Sequence, residues 1–183
     1  DDVIVDGTQV VTFTASASGA SNGTMTLNVT DNDTQALVVS STSVSVTEGA
    51  SSTFTVKLAY QPAANVTVSV ARASGDTDLT VSGGASLTFT SANWNTAQTV
   101  TLAAAEDEAL AHGSAVFDVT STGLSTVSVT GTEADNDTQS LVVSSTAVSI
   151  TEGLTNTFTV RLAFQPAADV TVSVGRASGD ADL

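Results

Sequence analysis

The 183-residue chain contains no cysteine. That excludes a disulfide framework, a thiolate metal site and a cysteine nucleophile. Basic residues are nearly as scarce. Lys57, Arg72, Arg161 and Arg176 are the only four, against 19 Asp and Glu, for a formal net charge of −15. A polyanion is bound through a basic patch that releases counterions, so nucleic acid is not expected as a partner. An anionic membrane surface is disfavoured on the same ground, and no apolar run approaches the roughly 18 residues of a membrane span. The single histidine, His112, leaves little to build a catalytic triad or a histidine metal site on. Prolines number two and aromatics make up 4%, so the core must be thin and made of Val, Leu, Ala and Phe. At 41% apolar content a packed core is still expected rather than disorder.

What the chain has in abundance is itself. Residues 35–79 return at 139–183 with a constant offset, and about 34 of the 45 paired positions are identical. Asp31–Thr34 and Asp135–Thr138, both Asp-Asn-Asp-Thr, obey the same offset of 104. That period exceeds the roughly 20–50 residues of solenoid repeats and matches a whole small domain. The expected organisation is the C-terminal part of one repeat at 1–34, a complete repeat at 35–138, and the N-terminal part of a third at 139–183. Only the middle repeat is expected to stand alone, because a partial sandwich exposes strand edges.

Alternation with period two is the strand signature. Val44 and Val46 put valines on one face. Phe54, Val56, Leu58 and Tyr60 continue the pattern, as do Val66, Val68 and Val70, then Leu87 with Phe89, and Val100 with Leu102. Ala115–Ser121 and Thr126–Thr132 complete the set. Turn chemistry at Glu48-Gly49, Gln61-Pro62, Ser74-Gly75-Asp76, Gly83-Gly84 and Thr122-Gly123 separates the runs. Seven or eight short strands read as an all-β fold of tandem immunoglobulin-like antiparallel sandwiches. Ala103–Ala111 is the one helix-leaning stretch, acidic and short, and reads as a loop.

The order Thr47-Glu48-Gly49, then Gly75-Asp76-Thr77-Asp78, then an acidic loop before Gly113, then Asp135-Asn136-Asp137 resembles the Calx-β repeat. So does the run from Leu87 through Trp94 and Gln98 to Val100. The resemblance covers the middle repeat and both partial ones. It implies a calcium site at one pole of each sandwich, beside the following domain. In the middle repeat it points to Glu48, Asp78, Asp107, Glu108, Asp135 and Asp137, with Asp76 beside them. The first partial repeat offers Asp1, Asp2, Asp6, Asp31 and Asp33, and the third Glu152, Asp180 and Asp182. Aligning Gly7 with Gly113 sets Asp6 opposite His112 and Gln9 opposite Ala115. The family usually has acids at both places, so one ion, or weaker binding, is expected in the middle repeat.

Calcium takes six to eight hard oxygen ligands from flexible loops, which suits carboxylates spread over five loops of one sandwich. Each Asp alone is as readily a turn former, bonding its own backbone. Confined at one pole without a cation, such carboxylates repel. The reading is a non-enzymatic, calcium-binding structural repeat, a stalk or fibre segment of a secreted or cell-surface, adhesin-like protein. Its expected partners are neighbouring repeats of the same chain, self-association into a fibre, and a surface glycan or protein receptor bound elsewhere in the chain. Alternatives are a carbohydrate-binding module using Trp94 and its neighbouring asparagines, or a non-catalytic spacer of a large extracellular enzyme. Asn22, Asn28, Asn32, Asn65 and Asn136 stand in Asn-x-Thr sequences that matter only in a glycosylating host.

Overall fold

The computed structural model describes residues 3–179. Asp1, Asp2, Asp180 and Asp182 lie outside the described residues. The chain divides into two compact units: Asp1–Glu106 with Gly113–Ala134, and Asp107–His112 with Asp135–Leu183. Both are all-β, without a helix among the described residues.

In the first unit the strands are β1 (Ile4–Val5), β2 (Gln9–Ala15), β3 (Gly23–Val29), β4 (Leu37–Val39), β5 (Ser43–Thr47), β6 (Ser51–Leu58), β7 (Gln61–Pro62), β8 (Val66–Gly75), β9 (Leu79–Gly83), β10 (Ser86–Phe89), β11 (Gln98–Ala104), β12 (Ser114–Thr120) and β13 (Val127–Ala134). One sheet runs β10-β8-β12-β13-β5 and another β4-β6-β11-β9. Neighbours are antiparallel except β5 and β13, which run parallel from Ser43 opposite Thr130 to Thr47 opposite Ala134.

Strand parity decides what is inside. Val44 and Val46, Phe54, Val56 and Leu58, Val68 and Val70, Leu87 and Phe89, Val100 and Leu102, Phe117 and Val119, and Val129 are all buried. Their intervening residues are mostly Ser and Thr at the surface. The two sheets pool these rows into one hydrophobic core, an arrangement consistent with a β-sandwich. Phe54, Phe89 and Phe117 are its largest fully buried side chains. The period-two runs in the sequence therefore mark the inner faces correctly. β4, whose Leu37-Val38-Val39 lacks such a signal, and β9, where Leu79 and Val81 alternate with Thr80 and Ser82, complete the four-stranded sheet.

β2 and β3 form a separate antiparallel hairpin, Gln9 opposite Val29 through Ala15 opposite Gly23. Val10, Phe13, Met25 and Leu27 on it are about half exposed or more. The hairpin has the register of β12–β13: Phe13 faces Met25 as Phe117 faces Val129. Gly19 and Gly123, both in the left-handed region at φ 79, make the corresponding turns. The offset is thus 104 throughout this segment, and Gln9, not Gly7, occupies the place of Gly113. The expected alignment of Gly7 with Gly113 fails, and the pairing of Asp6 with His112 fails with it.

Gln61-Pro62 also differs from expectation. Instead of a turn it is β7, paired in parallel with β1: Ile4 lies opposite Gln61 and Val5 opposite Pro62.

The second unit contains β14 (Leu141–Val143) and β15 (Val160–Leu162), antiparallel with Leu141 opposite Leu162. This repeats the β4–β6 register, where Leu37 lies opposite Leu58. Val148, Ile150, Leu154, Phe158, Val170, Val172 and Val174 remain exposed. In the first unit the matching β5 and β8 are fixed by ladders to β13, β10 and β12. Among the described residues of the second unit no strand plays those parts, and residues 147–151 and 170–175 are irregular.

Candidate metal centre

Two inward rows of the first unit end in acids. In β5 the row Val44, Val46 is continued past the strand end by Glu48, which is only 4% exposed. In β13 the row Val129, Gly131 is continued by Glu133, 7% exposed. The two strands are direct neighbours, so both carboxylates cap the core at the same pole. The Glu48 N–H donates to the carbonyl of Ala134 at 3.1 Å, which fixes the turn after β5 to the end of β13. Gly49 completes that turn at φ 69.

Other loops bring further carboxylates to this pole. A side chain at Gly113 would collide with both Asp76 Oδ2 and Glu133 Oε2, so two carboxylates close over that glycine. A side chain at Gly49 would likewise collide with the carboxylate of Glu106. Asp76 is held by its own N–H, which donates to the Ser114 carbonyl at 2.9 Å. Its Oδ1 accepts the Asp78 N–H at 3.0 Å, leaving Oδ2 turned towards Gly113. Asp78 is tied to the end of β11 through its carbonyl, which accepts the Ala105 N–H at 3.1 Å. Arg72 reaches the Asp76 backbone carbonyl rather than a carboxylate. This end of the unit therefore carries Glu48, Asp76, Glu106 and Glu133, of which Asp76 and Glu133 meet over Gly113 while Glu106 lies over Gly49. These are hard oxygen donors without thiolate or imidazole among them, a set suited to a calcium-type cation rather than a late transition metal.

Glu106 and Glu133 were not among the expected ligands. Parity holds the signal for Glu133, which stands in step with Val129 and Gly131 on an inward row where an acid has no business unless bound or bonded. Glu106 opens the acidic stretch directly before Asp107 and was passed over for its neighbours.

Within the first unit, Asp31 is committed to backbone donors. Its Oδ2 accepts the N–H groups of Asp6 and Gly7, each at 3.0 Å, and its Oδ1 accepts that of Asp33 at 2.8 Å. These bonds, that of Asp33 first and then that of Gly7, hold its carboxyl below the ordinary value of 3.8. Asp6, Asp31 and Asp33 line a shared cleft of about 420 Å³ with Ile4 and Gln9. Asp6 contributes its backbone there and its side chain is exposed.

In the second unit Asp135 Oδ1 accepts the Asp137 N–H at 2.7 Å, the same turn as at Asp31 and Asp76. The Asp135 N–H donates to His112 Nδ1 at 3.0 Å, giving the lone histidine a structural bond in an exposed loop. Asp107 Oδ1 accepts the Ala109 N–H at 2.5 Å, and the Glu108 carbonyl accepts the Gln165 N–H at 3.0 Å. Glu152 is exposed in a turn beside Gly153. Among the described residues the first Asp of each Asp-x-Asp, at Asp31, Asp76 and Asp135, is thus a turn former.

No protein-family model matches the chain, and no curated protein matches it. The site must stand on its own geometry.

Trp94 belongs to the fold. It is half-buried against the core, and its carbonyl accepts the Leu58 N–H at 2.9 Å. Asn93 beside it caps the same turn through the Thr90 N–H at 2.6 Å.

Proposed function

We propose that this chain is a segment of tandem, immunoglobulin-like repeats of Calx-β type that bind Ca²⁺ at an acidic pole. In this reading it is non-catalytic and forms part of a stalk or fibre of a secreted or cell-surface protein. One observation carries it. Glu48 and Glu133 occupy positions that strand parity gives to core residues, at the end of the unit where Gly49 and Gly113 let the carboxylates of Glu106 and Asp76 approach. Asp76 Oδ2 closes over Gly113 together with Glu133, and Glu106 lies over Gly49, the residue next to Glu48. Calcium matches this oxygen-only donor set and tolerates its irregular, loop-borne arrangement. The chain then continues from Ala134 directly into Asp135, so an ion at this pole sits where one repeat hands over to the next. The 104-residue echo supports the array, and the charge of −15 supports a divalent cation as partner.

The test is isothermal calorimetry of the whole chain with CaCl₂, alongside thermal melting in calcium and in chelator. An ion that binds only the folded state at 100 times its dissociation constant adds about 2.7 kcal/mol, which raises Tm by roughly 5–10 °C for a chain of this size. Glu133→Gln should keep the fold, as judged by circular dichroism, and abolish most of that rise. Silent calorimetry and equal melting in both conditions would remove calcium from the reading.

A further inference from the structure

Each unit contains the same joint, built from different side chains. In the first, the Gln61 N–H donates to the Val3 carbonyl at 2.8 Å, and Ile4 and Val5 lie parallel to Gln61 and Pro62. In the second, the Gln165 N–H donates to the Glu108 carbonyl at 3.0 Å, and Ala109 bridges Gln165 in parallel. Val3, Ile4 and Val5 are matched by Glu108, Ala109 and Leu110, so the ledge reads backbone and not side chains.

The ledge is set in advance by a glutamine clamp. Gln35 Nε2 donates to the Tyr60 carbonyl at 2.8 Å, and its Oε1 accepts the Ala36 and Tyr60 N–H groups at 3.1 and 3.2 Å. Gln139 does the same with Ser140 and Phe164, at 2.9, 3.1 and 3.2 Å. The incoming segment is also tied to the linker in each case. Asp6 and Gly7 donate to Asp31 in one, and His112 accepts from Asp135 in the other.

Proline sits in the joint without blocking it. The Gln61 N–H faces the added segment, so the nitrogen of Pro62, one residue on, faces the opposite edge, and the pairing runs through it from Ile4 with Gln61 to Val5 with Pro62. The same pair stands at Gln165-Pro166. On its far edge the proline offers no donor to a further strand.

We infer that consecutive repeats are locked by a calcium-independent backbone joint, in which the segment before the last hairpin of one repeat adds in parallel to the Gln-Pro edge of the next. The partner this edge fits is a short extended stretch of any preceding repeat, of any side-chain character. The inference rests on the repeat part of the proposed function and not on its calcium part.

Because the chain lacks cysteine, paired substitutions report the joint cleanly. Ile4→Cys with Gln61→Cys, and separately Ala109→Cys with Gln165→Cys, are placed in the full chain and oxidised in calcium and in chelator. Ser21→Cys with Gln61→Cys is the off-register control. Both matched pairs are expected to close at least tenfold faster than the control, and equally in the two conditions. In the unsubstituted chain the Gln61 and Gln165 amides should be protected from hydrogen exchange in both conditions. Matched pairs closing no faster than the control, with unprotected amides, would overturn the joint. Closure or protection that appears only with calcium would overturn its independence of the ion, while silent calorimetry with closed pairs would overturn only the calcium reading.

Discussion

Asp31 shows how one carboxylate can serve as a hub for the backbone. Three N–H groups, from Asp33, Gly7 and Asp6, converge on its two oxygens, and they favour the charged form. Its folded value therefore lies below 3.8. A group so shifted contributes stability that is fully present above its unfolded value and is lost as pH falls through the folded one. Acidification below about pH 4 should release the Asp6–Gly7 segment from the linker before the core melts, seen by NMR as loss of amide protection at Gly7 and Asp33. The Asp31→Asn variant should show that loosened loop already at neutral pH. If Gly7 and Asp33 stay protected at pH 2, the carboxylate is not what holds them. Glu133 makes the opposite point at this scale. Its role follows from parity with Val129 and Gly131, but a search for Asp-rich turns passes over a glutamate inside a strand.

Between elements, equal register does not give equal burial. Phe13 and Phe117 hold corresponding places in two hairpins of the same register. Phe117 is fully buried between the sheets, whereas Phe13 is 51% exposed. Phe117→Ala should cost about 3–5 kcal/mol, while Phe13→Ala should stay within about 0.5 kcal/mol; chemical denaturation of both variants measures the contrast. A comparable loss in the two would mean that the β2–β3 hairpin is covered. The inner rows of β5, β6, β8, β10, β11, β12 and β13 were legible because alternation is a local signal. β4 was not, since Leu37-Val38-Val39 has no alternation, whereas Leu79 and Val81 of β9 carry the same signal in a run of only five residues. Gln61-Pro62 was read as a turn from its proline, yet its partner Ile4 lies more than fifty residues earlier, beyond any local pattern. For the site, the turns bearing Glu48, Asp76 and Asp78 were legible as acidic loops. Their grouping with Glu106 and Glu133 depends on how β5, β11 and β13 are ordered across two sheets, which spacing alone does not encode.

At the scale of the whole molecule, the placing of β5 beside β13 has a mechanical result. The two strands run parallel and are joined over five residue pairs, from Ser43 with Thr130 to Thr47 with Ala134. β13 is the last strand of the two-sheet core, and β5 follows only the three-residue β4. A pull applied just before β5 and just after β13 draws β5 towards its N-terminal side and β13 towards its C-terminal side, so the load falls along the ladder. All its hydrogen bonds must then give way together, as in a sheared lap joint. A hairpin pulled apart at its open end breaks them one at a time, like a zip. Single-molecule stretching with handles before β5 and after β13 should therefore need severalfold more force than stretching across the open end of the β12–β13 hairpin. Equal forces in the two geometries would show that the parallel pair does not carry the tension. Such toughness comes from strand direction alone, with no added contact.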